Sequence, residues 1–264
     1  MGILNVTPDS FSQDGLWPLI KKNPKKIVAL AQRLVNDGAD MLDIGGESSR
    51  PGSKPISVDE ELKRVIPVVK ALVKNIKAPI SVDTYKPVVA QAALDGGATI
   101  INNIMGTHPN KELLKMIKNY QATIILMHIR GTPATMQQHI IYKNLIREII
   151  LDLQKSIEIC LEIGIKSDRI IIDPGIGFAK TAEQNLKILN HLSELKKLKQ
   201  PILVGPSRKS FIGKILNKEV HERLIGTIAS VCISIIQGAH IVRVHDVAAV
   251  KEAVIITEAI LNQS

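Results

Sequence analysis

The chain has 264 residues, 45% of them hydrophobic but only 3% aromatic, with two cysteines and a formal net charge of +9. That length matches the roughly 250 residues of one (β/α)8 barrel and leaves little room for a second domain. No apolar stretch approaches the ~18 residues of a membrane span, the lysine pairs Lys21-Lys22, Lys25-Lys26 and Lys196-Lys197 lack the interleaved aromatics of a single-strand binder, and Cys160 and Cys232 sit singly in apolar, helical surroundings.

These features argue against membrane and nucleic-acid partners. They predict a cytoplasmic protein with a lysine-rich solvated exterior that still attracts anionic substrates. The first residues, Met1-Gly2-Ile3-Leu4-Asn5, carry no basic segment before an apolar one, so they do not read as a signal peptide. They begin inside a strand-like run, which leaves open a longer natural chain, with a short preceding segment or a fused upstream domain.

Along the chain, short apolar runs appear at Gly2–Val6, Met41–Ile44, Pro79–Val82, Thr99–Ile101, Ala122–Met127, Arg169–Ile172, Pro201–Val204 and His240–Val244. Segments with helical periodicity alternate with them: Lys25–Asp37, Val58–Asn75, Lys86–Asp95, Asn110–Asn119, Lys143–Ile163, Glu183–Leu195, Glu219–Gln237 and Val247–Leu261. The runs are rich in Ile, Val and Leu, as parallel strands buried on both faces require. Gly38, Gly97, Gly164 and Gly238 each stand between a helical segment and the next strand, where glycine closes a helix in a left-handed conformation. Eight strands alternating with eight helices, with no linker of low complexity, predict one α/β domain over 1–264, a (β/α)8 TIM barrel. An open doubly wound sheet is the competing arrangement, and the regular repetition of similar units favours closure.

Polar residues stand where the apolar runs stop: Asn5, Asp43 followed by Glu47-Ser48-Ser49-Arg50, Asp83, Asn102-Asn103, His128, Asp173, Ser207-Arg208-Lys209, and Arg243 with His245. One such residue alone usually caps a turn or a helix. Eight coincident ones converge on one mouth if the strands form a barrel. Asp83, Asn102 and Asp173 offer acceptors and amide donors to a flat, nitrogen-rich ring, and Lys209 offers a donor to a carbonyl oxygen. Arg50, Arg243 and His245 suit an anion such as a diphosphate, and Asn5 is a neutral oxygen ligand for a Mg²⁺ shared with it. The loops Thr7–Ser12 and Gly45–Gly52 flank the same mouth and could close over it. His128 reads equally as a supporting histidine or a direct contact. Arg208 reads as outward-pointing, and Phe11 as either a stacking partner or rim packing.

At these residues the chain resembles the dihydropteroate synthase family. The matching segments are Gly2–Ser12, Asp43–Gly52, Ser81–Thr84, Ile101-Asn102, Asp173–Phe178, Ser207–Ser210 and Arg243–Asp246, in that order. The resemblance implies condensation of 6-hydroxymethyl-7,8-dihydropterin diphosphate with 4-aminobenzoate, giving 7,8-dihydropteroate and diphosphate. It implies a pterin site of Asp83, Asn102, Asp173 and Lys209 with Met127, Phe178 and Gly205. It implies an aminobenzoate site of Phe11, Ser49, Pro51, Ser207 and Lys209. Asn5, Arg50, Arg243 and His245 would hold the diphosphate, Asn5 also ligating Mg²⁺, and the assembly would be a homodimer. Catalysis would rest on Asp83, Asn102, Asp173, Lys209 and an acidic residue of the first loop.

The chain departs from the family at Ser49, where threonine is usual, at Asn103, where aspartate is common, and at Pro206. It departs also at Gln13, so that either Asp14 takes the acidic role by a one-residue shift or the role is lost. A methyltransferase that binds pterin shares the barrel, but Arg243-x-His245 and Ser207-Arg208-Lys209 favour a diphosphate substrate. A non-catalytic pterin-binding barrel is the other rival, supported by the altered first loop.

Overall fold

The computed structural model describes residues 1–8, 15–17, 25–49, 53–138 and 140–263. Eight short parallel strands follow one another: β1 (Gly2–Asn5), β2 (Leu42–Gly45), β3 (Ile80–Asp83), β4 (Ile100–Asn103), β5 (Thr123–Met127), β6 (Ile170–Asp173), β7 (Leu203–Val204) and β8 (Ile241–Val242). β1 to β6 pair in sequence order, as do β7 and β8. Two further bridges join these groups, Ile172 to Ile202 and Gly2 to Val244. The second closes the ring: the Ile3 amide donates to Val244 O at 3.1 Å, and the Val244 amide to Met1 O at 3.0 Å. The expected barrel is therefore formed.

Residues two apart along a strand share a face, and this parity separates the barrel's interior from its exterior. Ile101, Ile124, Leu126, Ile170, Ile172 and Val204 point outward into the main core under the helices. Met1, Ile100, Ile125, Ile171 and Leu203, with the partly buried Met41 and Ile241, form a separate small cluster within the ring. Two residues further along the same parity stand Asn102, Met127, Asp173, Gly205, Asp43 and Arg243. The inward face is thus largely apolar at the lower end of the barrel, and its upper end gathers the polar Asn102, Asp173, Asp43 and Arg243 beside Met127 and Gly205.

The helices are α1 (Lys25–Asn36), α2 (Val58–Asn75), α3 (Pro87–Asp95), α4 (Lys111–Asn119), α5 (Leu145–Ile163), α6 (Ala182–Asn190), α7 (Ser210–Leu216), α8 (Leu224–Ile236) and α9 (Val247–Leu261). Their starts follow sequence: Ser57, Asn110 and Asn144 cap α2, α4 and α5 with side-chain acceptors, and Thr181 with Gln184 forms a reciprocal capping box on α6. Their ends repeat one device. Gly38, Gly97, Gly164 and Gly238 all have φ between +96° and +102°. In each case the next residue's amide reaches back to a carbonyl of the last turn, as Ala39 to Leu34 O and Ile165 to Cys160 O do.

Two helical regions differ from the expected pattern. The helix expected over Glu183–Leu195 ends at Asn190, and a 3-10 helix, Leu192–Leu198, follows it. The helix expected over 219–237 starts at Leu224, and a separate helix, α7, precedes it. Asn217, left-handed at φ 52°, ends α7. The Arg223 guanidinium then bonds Lys218 O and Arg208 O at 3.1 Å each, filling the space beside Gly213. A lone asparagine and a distant arginine set this break, and neither interrupts the apolar periodicity. Among the described residues, no helix is long and apolar enough to cross a membrane.

Candidate active site

Asp43 organises the upper, polar layer of the barrel. It is fully buried. Its Oδ1 accepts from Ser81 Oγ at 2.5 Å, and its Oδ2 accepts from Asn102 Nδ2 at 3.1 Å and Arg243 Nε at 2.6 Å. Strands β2, β3, β4 and β8 are joined through this one carboxylate. The second arm of Arg243 donates from Nη2 to Asp83 Oδ2 at 3.1 Å. The sequence marks Asp43 as a strand end without giving it a role. Its parity with Met41 below and Gly45 above is the signal that it faces inward.

Asp83 lies beside Asp43, and burial pushes its carboxyl up to about 7, against the pull of Arg243 and with the added repulsion of Asp43. Asp173 ends β6, and burial raises it to about 6, although the Gly175 amide donates to its Oδ1 at 2.7 Å. Lys209, at the start of α7, is lowered to about 8 by burial and by Arg243. Its ammonium lies 4.2 Å from the centroid of the Phe178 ring. The three elements that bring these groups together are far apart in sequence.

The remaining expected positions fall in two groups. Met127 is buried in a small cluster with Phe178, Ile104, Ile129, Met136 and Ala179, opposite Asp173 in the β5–β6 register. Gly205 leaves room at the mouth, since a Cβ built there would meet only Arg243 Cβ, at 3.8 Å. Ser207 Oγ and His245 Nδ1 hydrogen-bond at 2.9 Å, tying the loops after β7 and β8. Arg208 turns away to a two-armed ion pair with Asp246, at 2.5 and 3.0 Å, as the sequence reading expects. His128 is buried and pairs with Lys180 and Asp152, so it supports the wall from behind. Phe11, Gln13, Asp14, Arg50 and Pro51 lie outside the described residues.

Ser49 is described and partly exposed. The loop leading to it is anchored by Glu47, which accepts from Tyr85 Oη at 2.9 Å, Lys86 Nζ at 2.5 Å and the Ile56 amide at 3.0 Å. Lys86 also pairs with the buried Glu61 at 2.6 Å. This network joins residues up to 39 positions apart, and sequence reasoning missed it for that reason.

Asn5, at the end of β1, faces the same layer. A Cβ built on Gly45 would lie 3.6 Å from Asn5 Oδ1 and 3.9 Å from Asp83 Oδ2, so both oxygens border one notch. Among the described residues no cluster of three His, Cys, Asp or Glu side chains stands ready to hold a metal by itself. A single amide oxygen fits a Mg²⁺ that takes most of its ligands from substrate phosphates and water.

The arrangement offers two fixed carboxylates, an amide and a lysine to a buried ring, with a guanidinium next to them. The family model described as a pterin binding enzyme matches residues 1–245. The dihydropteroate synthase of Synechocystis is 46% identical over 261 residues, covering 98% of this chain and 89% of the relative. The crystal structure of the Yersinia pestis dihydropteroate synthase in a sulfonamide drug complex superposes with a TM-score of 0.94 at 42% identity, covering 99% of this chain and 94% of that one. The Thermus thermophilus dihydropteroate synthase, solved in complex with 4-aminobenzoate, superposes at 0.86 with 34% identity, covering 98% and 93%. The chain belongs to the dihydropteroate synthase family of pterin binding enzymes.

Proposed function

We propose that this chain joins 6-hydroxymethyl-7,8-dihydropterin diphosphate to 4-aminobenzoate in folate biosynthesis, releasing diphosphate and forming 7,8-dihydropteroate. The observation that carries the reading at residue level is the convergence of Asp83, Asn102, Asp173 and Lys209 around the Asp43–Arg243 pair.

The pterin's amino group and ring N–H would bond Asp173 and Asn102, and Lys209 would donate to its carbonyl oxygen while covering the Phe178 side. Asp83 would take the remaining ring nitrogens. Once a pterin engages Asp83, Arg243 keeps its bond to Asp43 and has one arm to offer the diphosphate, beside His245 and Arg50. The bond between the pterin methylene carbon and the diphosphate oxygen breaks, and its electrons leave with the diphosphate. The amine of 4-aminobenzoate then forms the new C–N bond and loses a proton. Fixed positive charge at Arg243 favours the departing anion, and the carboxylates favour the pterin cation that remains.

Mg²⁺ bound through Asn5 and the diphosphate would neutralise leaving-group charge. Ser49, Pro51, Phe11 and Ser207 would seat the aminobenzoate, with Asp14 steadying the cation from the first loop. Both cysteines are unpaired thiols, which supports a cytoplasmic setting. A second copy of the chain would cover the apolar face of α8 and α9.

The test is diphosphate release that requires the pterin diphosphate, 4-aminobenzoate and Mg²⁺ together. Asp173→Ala and Lys209→Ala should each lower kcat/KM by at least about a hundredfold, the scale of removing a charged contact made in the transition state. Turnover retained in both variants would overturn the pterin-site assignment.

A further inference from the structure

Behind the pterin wall lies a charged group that the reaction above does not use. Lys180 is 5% exposed. Its ammonium donates to Phe178 O at 2.8 Å and His128 O at 3.4 Å, and meets His128 Nδ1 at 3.1 Å. With Lys180 protonated, Nδ1 is the accepting, unprotonated nitrogen, and the Nε2 hydrogen faces Asp152 Oδ2 at 3.4 Å on α5. Burial lowers the ammonium to about 7, so it is charged at the pH where Asp173 titrates, near 6. Burial and the neighbouring ammonium lower His128 to about 4, in keeping with a neutral ring.

The surrounding backbone is built tightly around this ammonium. Gly175 has φ +72°, and a Cβ there would lie 2.0 Å from His128 O and 3.3 Å from Lys180 Nζ. Ala179, next to Lys180, is itself left-handed at φ 51°, and its carbonyl accepts from Tyr142 Oη at 3.0 Å. The Gly177 amide donates to Asn185 Oδ1 at 2.7 Å, fastening the other side of the loop. A buried ammonium with three acceptors at the centre of a strained turn has been kept at a desolvation cost.

We propose that Lys180 is a positioning residue for the pterin subsite, fixing the β6–α6 turn that carries Asp173 and Phe178 and supplying positive charge behind Asp173. The inference rests on the functional reading above and names the residue that tunes its pterin wall. The mechanical part acts through Phe178: its carbonyl is held by Lys180 while its ring faces the Lys209 ammonium.

The electrostatic part acts on Asp173, whose carboxylate form is favoured by Lys209, Lys180 and Arg243 against burial. Lys180 in turn faces Asp173, Arg130 and Lys209. His128 faces Asp152 and Arg130 as well as Lys180. Of these charged neighbours of Asp173, Lys180 is the one with no assigned contact to either substrate, so it can be altered without removing a substrate contact.

The test compares Lys180→Met, Lys180→Gln and Lys180→Arg with the unaltered chain. Binding of 6-hydroxymethylpterin is measured by calorimetry from pH 5 to 8, and KM is measured for each substrate. Loss of a charged hydrogen-bonding group should weaken pterin binding about tenfold in Lys180→Met, while KM for 4-aminobenzoate stays within about twofold. In Lys180→Gln the donor to Phe178 O survives but the charge does not. The acid limb of pterin binding should then move to higher pH, because Asp173 loses part of what keeps it ionised. Lys180→Arg should return the limb towards its original position. If Lys180→Met does not fold, the glutamine and arginine pair carries the test. Equal rises in both KM values, or an acid limb that stays in place in Lys180→Gln, would overturn the positioning role. Absence of pterin binding by the unaltered chain would instead overturn the functional reading itself.

Discussion

Asp173 is where binding and stability pull in opposite directions. Its folded-state carboxyl sits near 6, above the ordinary 3.8, because burial disfavours the charge. A raised acid works against the fold once it ionises: the penalty is absent below about pH 4, grows as pH rises towards 6, and is complete above that. Asp173→Asn keeps an oxygen to accept from the Gly175 amide and removes the charge. We expect it to raise unfolding free energy at pH 8 by about 2 kcal/mol, somewhat less than two pKa units imply, and to abolish turnover. Near pH 4 the variant and the parent should converge. Denaturant midpoints at the two pH values check this, and an identical difference at both would show that the carboxylate charge is not what costs stability. The same trade applies to Asp83, which burial, with the repulsion of Asp43, holds near 7.

At the scale of elements, what was legible in the sequence depended on how far apart the partners are. The four glycine helix ends were legible because a left-handed residue before a strand needs no distant partner. Four of the eight strand runs were drawn slightly short at the mouth. Gly45, Asp83, Asn102, Asn103 and Asp173 remain within their strands, since a polar side chain ends an apolar run without ending the backbone pairing. The convergence of strand-end residues was legible from repetition alone. The roles of Asp43, Lys86 and Lys180 were not, because the partners that define them stand 52 residues away for Lys180 and His128, 59 for Asp43 and Asn102, and 200 for Asp43 and Arg243. Local signals make local predictions sharp. At Gly164, φ is +96° and an added Cβ would meet only the flexible end of Lys118, at 3.1 Å. Gly164→Ala should therefore cost about 1–2 kcal/mol, from backbone strain alone, with both KM values unchanged. Thermal unfolding and steady-state kinetics test the two halves of this statement separately. A change in either KM would mean that the α5–β6 corner communicates with the mouth.

At the scale of the whole molecule, the barrel leaves one side of its helical layer uncovered. Helices α8 and α9 pack against each other, yet Ile225 is 70% exposed, Ile256 62% and Ile260 67%, and Ile233, Ile236 and Ile255 are exposed beside them. Scattered single apolar residues at a surface need no explanation, but several on two adjoining helices form a patch of the kind that marks an interface. The proposed homodimer would use this patch, and a two-fold contact would place it against its own copy. Sedimentation velocity at micromolar concentration should then show a two-chain species. Ile256→Glu combined with Ile260→Glu should shift it to one chain, because the contact would bury unpaired carboxylates in apolar surroundings. Both side chains are mostly exposed within the single chain, so far-ultraviolet circular dichroism should remain unchanged. A parent chain that sediments as one chain would remove the dimer. A two-chain species that survives both substitutions would place the contact on another face and leave these isoleucines without a partner role.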